Sequence, residues 1–239
     1  VMLKGVWDGY ELLRYESEDG ERVDRAGFVK DVMARAKEME SEVGAAVVVD
    51  SRGAIFYRME IPDVEDGQVE AIVRLQIEGM LPVALAEVQL AWRAERAKDG
   101  RRKVVAAIAK NEKLKAVAGT AKRVGALGVF LDCEGVVKAW KELFGGGDGR
   151  TVVVRIGEAV TQVILAEGGR LAGATTIDLG AADLVEGDGF SANVELLGRD
   201  LAEAMEMFGI SERGDVEISV LSDEADRYGR LISFWVSWG

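Results

Sequence analysis

Tyr57-Arg-Met-Glu-Ile-Pro62 opens a stretch that continues through residues 68–80, Leu81-Pro82 and residues 87–92. It reads as a strand ending in proline, an amphipathic helix ending in another, and an alternating strand. In the helix, Val69, Ile72, Val73, Gln76, Ile77 and Met80 recur at the spacing of one buried face, broken only by Gln76. Glu70, Arg74 and Glu78 stand four residues apart on the other side, where opposite charges support one another weakly. Pro82 cannot continue a helix and biases Leu81 towards an extended conformation, so the helix should stop near Met80. Beyond it, Val88, Leu90 and Trp92 alternate with Gln89, Ala91 and Arg93. The chain has no other prolines.

Upstream, residues 1–6 and 10–16 flank Asp8-Gly9, a tight-turn signal between two strands. Asp24 is placed to cap a helix running to Glu42, with Phe28, Val32, Met33, Ala36 and Met39 on its apolar side. Residues 45–49 are continuously apolar, the pattern of a strand buried on both faces, and 53–59 form a further strand. Downstream, Asp99-Gly100 turns the alternating strand back through 103–109. Asn111 then caps a helix with Leu114, Val117, Ala118, Ala121 and Val124 on one side and Gly125 at its end. Residues 68–125 thus spell helix, strand, strand, helix, a unit with its own small sheet. A short buried strand at 129–131 and a helix at 136–144 lead to Gly145-Gly-Gly-Asp-Gly149, a linker.

After the linker come strands at 151–156, 161–166 and 170–177 and a helix from about 193 to 208 with Val194, Leu197, Leu201, Met205 and Phe208 on one face. A strand at 215–221, a short helix at 223–228 and a strand at 231–236 close the chain. By element order, the regions on either side of the linker are two versions of one α/β unit. The expected division is 1–145, carrying an insertion at about 68–125, and 150–239.

Composition narrows the chemistry. The 239 residues carry a net charge of −12, no histidine and one cysteine, Cys133. Such an acidic chain repels phosphate backbones, which disfavours a nucleic-acid partner. Arg101-Arg102-Lys103, beside Asp99-Gly100, reads as a solvated hairpin. Without histidine, His-dependent nucleophile triads are excluded and a zinc site is disfavoured. Cys133 has no partner for an internal disulfide and suits a reducing compartment. No apolar run approaches the ~20 residues that span a bilayer, so no direct membrane span is expected. The expectation is a soluble, cytoplasmic chain, and its Val1-Met2 start is compatible with a natural N-terminus further upstream. Asp50 and Asp132 end strands and would meet at a sheet edge, but capping of turns by such residues is the plainer account.

Several short motifs resemble the pilus-assembly PilM family and the cytoplasmic part of the type II secretion GspL family, within the actin-like ATPase superfamily. Arg58-Met-Glu-Ile-Pro62 resembles the family's Arg-x-x-x-Pro strand end. Glu78-x-x-Leu-Pro82, followed by Glu87-Val88-x-Leu90, resembles its Glu-x-x-x-Pro and Glu-Glu-Val-x-Leu pattern. Lys110-Asn-Glu-Lys-Leu114 with Gly125 resembles the helix closing its inserted subdomain, and Arg155-Ile-Gly157 with Thr161, then Gly168-Gly-Arg170, the hairpin opening its second half. The resemblance implies an actin-like fold, α/β in class: two ribonuclease H-like halves with a small α+β subdomain inserted in the first.

The departures from the family pattern fall where nucleotide would bind. Trp7-Asp-Gly9 lacks the small hydroxyl residues that usually follow the first hairpin's turn. Arg155 stands at the position of an acidic residue, and Leu221-Ser-Asp223 where a glycine pair is expected. A cation cannot hold Mg²⁺, which takes oxygen ligands. Arg155 is left with a direct phosphate contact, alongside Gly157 and Thr161, or an ion pair with Asp178. The resemblance therefore implies a non-catalytic scaffold at the cytoplasmic face of the inner membrane, in a type IV pilus or type II secretion platform, with no metal and no cofactor. It would dock a segment of an inner-membrane assembly protein, with a cytoplasmic motor ATPase as a possible second partner. In the family that segment enters a groove between the first half and its insertion, for which Arg58, Pro62, Glu78 and Pro82 are the lining residues here. Charge reversal at Arg58 or Glu78 would then weaken partner binding and leave folding intact. Trp238 is a further partner anchor, whereas Trp235 reads as a buried sheet residue. The alternatives are a working ATPase that binds ATP with Mg²⁺, and a solitary α/β ligand-binding domain.

Overall fold

The computed structural model describes residues 2–6, 9–14, 25–39, 43–97, 99–145, 149–185, 187, 189–210 and 216–222. The expectations for Trp7-Asp8, the Asp24 cap, residues 223–236, Trp235 and Trp238 lie outside these. The chain divides into two compact units, residues 1–48 with 115–130 and residues 49–114 with 131–239. The boundary expected at 145–150 falls inside the second of these.

In the larger unit, β8 (Arg150–Ile156), β9 (Thr161–Glu167) and β10 (Arg170–Ile177) form an antiparallel meander, and β11 (Glu217–Leu221) runs parallel to β8. The sheet order is β10-β9-β8-β11. β9 and β10 meet through Gly168-Gly169, with φ of 57° and 69°, the two left-handed residues that a two-residue hairpin demands. Its strands are apolar on both faces because both are covered. On one side α5 (Phe190–Met207) lays Leu197, Leu201 and Ala204 over Val152, Val154, Val163 and Leu165. On the other, α4 (Asp132–Phe144) places Cys133, Val137 and Trp140 against Val153, Ile164 and Ala174. Their spacing of four and three residues is one helical face. Trp140 Nε1 also donates to Ser219 Oγ at 3.0 Å.

The same unit holds a second sheet of β4 (Ile55–Pro62), β5 (Val88–Arg96) and β6 (Arg101–Lys110), antiparallel, with β6 central. The small sheet expected within residues 68–125 is thus three-stranded and includes β4. α2 (Asp66–Met80) covers it, burying Val69, Val73 and Ile77 against Ile61, Val104 and Ile108. The helix ends as expected: Leu81 is extended before Pro82. Met80 departs from the expected face and is 46% exposed, because it lies in the frayed last turn, beyond the sheet-facing residues. Trp92, expected to face inward with Val88 and Leu90, is 36% exposed.

Arg102 corrects the sequence reading. It is 5% exposed, not solvated: Nε donates to Asp63 at 2.8 Å, Nη1 to Asp66 at 2.6 Å, and Nη2 to Val64 O. The β6 pleat turns it inward between its solvent-facing neighbours Arg101 and Lys103.

In the smaller unit, β1 (Met2–Val6) and β2 (Gly9–Arg14) pair antiparallel. α1 (Arg25–Met39) precedes β3 (Val47–Val49), which pairs with β7 (Val129–Leu131). The two-sided burial expected of both strands is not found: Val48 is 60% exposed and Val129 43%. A two-stranded sheet has no layer on its second face, and alternation turns these side chains outward. α3 (Asn111–Val124) ends at Gly125, whose φ of +61° allows Ala126 N–H to reach back to Ala121 O at 2.8 Å. Asn111 opens that helix but its amide is spent elsewhere, accepting from Gln89 Nε2 and donating to Ala86 O. No helix among the described residues is long and apolar enough to cross a membrane.

Candidate functional site

At one end of the larger unit the β8–β9 hairpin meets the chain beyond β3 and the start of α4. Because β8 and β9 pair in register, Arg155 faces Gln162 across the ladder. Arg155 Nη1 donates to Gln162 Oε1 at 2.9 Å and lies 3.5 Å from Asp132 Oδ2. Gln162 Nε2 donates to Asp132 Oδ2 at 2.8 Å and to Ser51 Oγ at 3.0 Å, and Ser51 N–H donates to Asp132 Oδ1 at 2.9 Å. Both Asp132 oxygens are therefore occupied by protein donors. Ser51 and Gln162 are each 4% exposed, which ties the cluster into the core side of the sheet edge. Beneath it, burial pushes the Cys133 thiol up to about 12, with the hydrogen bond from Ser51 pulling the other way. The thiol is a packed core group, not a reactive one.

The pair with Asp178 expected for Arg155 is replaced by Asp132 and Gln162. Pleat alternation determines this: Arg155 shares its face with its cross-strand neighbour. Thr161 is fully buried, and its hydroxyl donates to Leu179 O at 2.7 Å. Gly157 N–H donates to Val160 O at 2.9 Å, while its carbonyl accepts from Ala181 N–H at 2.8 Å. Asp50, the other strand-end acid, accepts from Arg52 N–H at 2.7 Å in a local turn.

Alternation along β4 also separates the residues expected to line a docking groove. Tyr57, Met59 and Ile61 face α2. Arg58 faces away, where Nη1 donates to Phe208 O at 2.8 Å and Nη2 to Glu167 at 2.7 Å. Arg150 joins this bracket through Phe208 O at 2.7 Å and Glu167 at 3.2 Å. Pro62 shares the Arg58 face of β4, whereas Glu78 is exposed on α2 and Pro82 lies just past that helix. The four do not line one groove. Sequence reasoning missed Gln162, Ser51 and Glu167, whose roles come from contacts more than a hundred residues apart, or across a pleat, that no local spacing reports.

The meander with a parallel fourth strand, covered by helices on both faces, places the chain in the actin-like ATPase fold. A chain of the "PilM-PilN type IV pilus biogenesis complex" matches it over 90% of this chain and 74% of its own, with a TM-score of 0.64 and 17% identity. A Bacteroides thetaiotaomicron protein with actin-like ATPase fold and unknown function matches over 95% and 80%, with a TM-score of 0.51 and 11% identity. The cytoplasmic domain of EpsL, an inner membrane component of the type II secretion system of Vibrio cholerae, matches over 87% and 80%, with a TM-score of 0.48 and 11% identity. The first two carry the fold assignment. No protein-family model matches the sequence, and no curated protein matches it.

An ATPase fold raises the question of a metal-bound nucleotide. The β8–β9 hairpin does not fit one. Its one strong charge is cationic, the Asp132 carboxylate is already satisfied, and the Thr161 hydroxyl and Gly157 amide are spent on backbone carbonyls. Among the described residues, no group of three or more His, Cys, Asp or Glu side chains is placed to hold a metal ion.

Proposed function

We propose that the chain is a non-catalytic actin-like scaffold that docks a segment of a membrane-anchored partner at the cytoplasmic face of the inner membrane. The Asp132–Arg155–Gln162 cluster carries this reading. It puts a built-in cation where a metal-dependent site needs free carboxylate, so the sheet edge is charge-balanced by the protein itself. The structural likeness to a chain of the PilM-PilN complex supports placing it in a pilus-type assembly platform. A membrane-associated setting requires no spanning helix if a partner supplies the anchor.

Melting curves with and without millimolar Mg-ATP test the proposal. A ligand at 100 times its dissociation constant stabilises the folded state by about 2.7 kcal/mol, a shift of roughly 5–10 °C for a protein of this size. The expected result is no resolvable shift. A shift of that size would move the protein to the nucleotide-binding branch of the fold.

A further inference from the structure

A groove of about 790 Å³ runs between α1 and α3 in the smaller unit. Its apolar lining comes from Val29, Met33 and Val124, each half-buried, and its charged lining from Lys30, Lys37 and Arg123, each exposed. No acidic side chain lines it. In a chain of net charge −12, a concave surface with three cations and no anion runs against the composition. Two of the cations have a local explanation. Lys37 and Arg123 sit in last helical turns, where the macrodipole favours positive charge, and Arg123 Nε donates to Gly119 O at 3.3 Å. Lys30 has none, being inside α1. Lys30 and Lys37 lie two turns apart on the Met33 side, and the acids of α1, Asp31 and Glu38, are not part of the lining. The helix is therefore sorted by charge as well as by polarity.

We infer that this groove binds an apolar partner segment flanked by carboxylates. The inference rests on the scaffold reading above and supplies the chemistry of the segment that scaffold docks. Apolar residues of the segment fill the space over Val29, Met33 and Val124. Its carboxylates meet Lys30, Lys37 and Arg123 at the rim, where they set specificity and on-rate more than affinity. A groove between two helices receives side chains from a helix or an extended strand, whereas a flat bilayer surface does not reach its floor.

Selection from a random phage-displayed peptide library reads the chemistry directly. The wild-type protein should enrich sequences with an apolar core and flanking Asp or Glu. The double variant Lys30→Glu, Arg123→Glu, checked for unchanged circular dichroism and melting, should enrich Lys- or Arg-flanked sequences instead. An enriched wild-type peptide should bind the double variant at least about tenfold more weakly, and the gap should narrow in high salt. Failure to enrich, enrichment without acidic residues, or the same sequences from both proteins would overturn the inference. So would binding to phosphatidylglycerol vesicles, or a concentration-dependent dimer, that is lost in the double variant while peptide preference is absent. A Mg-ATP melting shift with the acidic preference intact counts against the scaffold reading alone. No shift and no preference counts against the groove alone.

Discussion

Arg155 shows how one side chain redirects a fold. At a sheet edge where a carboxylate would recruit a metal ion, a guanidinium instead satisfies the neighbouring acid, and Gln162 locks the pair from the opposite strand. The change of charge was legible in the sequence; its partner was not. Asp178 is as near in sequence as Asp132, and only the three-dimensional position of α4 decides between them. Arg102 makes the same point. Its dibasic neighbours signal a solvated turn, but the pleat turns it towards Asp63 and Asp66. The hydrogen bond from Arg102 and its charge, with a smaller contribution from Arg96, hold the Asp66 carboxyl below its usual range. A depressed folded-state pKa contributes stability above the unfolded value, near 3.9, and loses it as pH falls through the folded value. The melting temperature should therefore fall more steeply below about pH 4 in the wild type than in Asp66→Asn, closing a small gap present at neutral pH. The gap stays small because the Asp66 side chain is 84% exposed. Parallel melting curves across that range would contradict this account of Asp66.

At the scale of elements, periodicity carried most of the information. α2, with its apolar stripe and proline stop, was legible almost to the residue, because a helix on a sheet needs one continuous face and Pro82 ends it. β3 and β7 were misjudged as fully buried, because a run of apolar residues reports a strand's composition and not how many layers cover it. The role of Arg58 was hidden for a related reason. Its motif marks a strand end, while its contacts to Phe208 O and Glu167 depend on sheet packing. Arg58→Glu should therefore lower stability by on the order of 1 kcal/mol, a figure already discounted for a side chain 35% exposed. Glu78→Lys, on the open face of α2, should stay within about 0.5 kcal/mol of wild type. Equal melting temperatures for the two variants would contradict the bracket assigned to Arg58.

At the scale of the whole molecule, element order alone pointed to two related α/β parts and an interrupting segment, and the actin-like fold follows from it. The order survives loss of sequence identity because each element is specified locally by period, turn and cap. The site does not survive in that way, since its chemistry rests on a few side chains, and those are the ones this chain has changed. The central claim is that the β8–β9 hairpin is satisfied by its own protein contacts and makes none to nucleotide. Hydrogen–deuterium exchange across residues 155–161, with and without millimolar Mg-ATP, reads that hairpin directly. The account predicts identical protection in both conditions; slower exchange confined to this hairpin when Mg-ATP is present would contradict it.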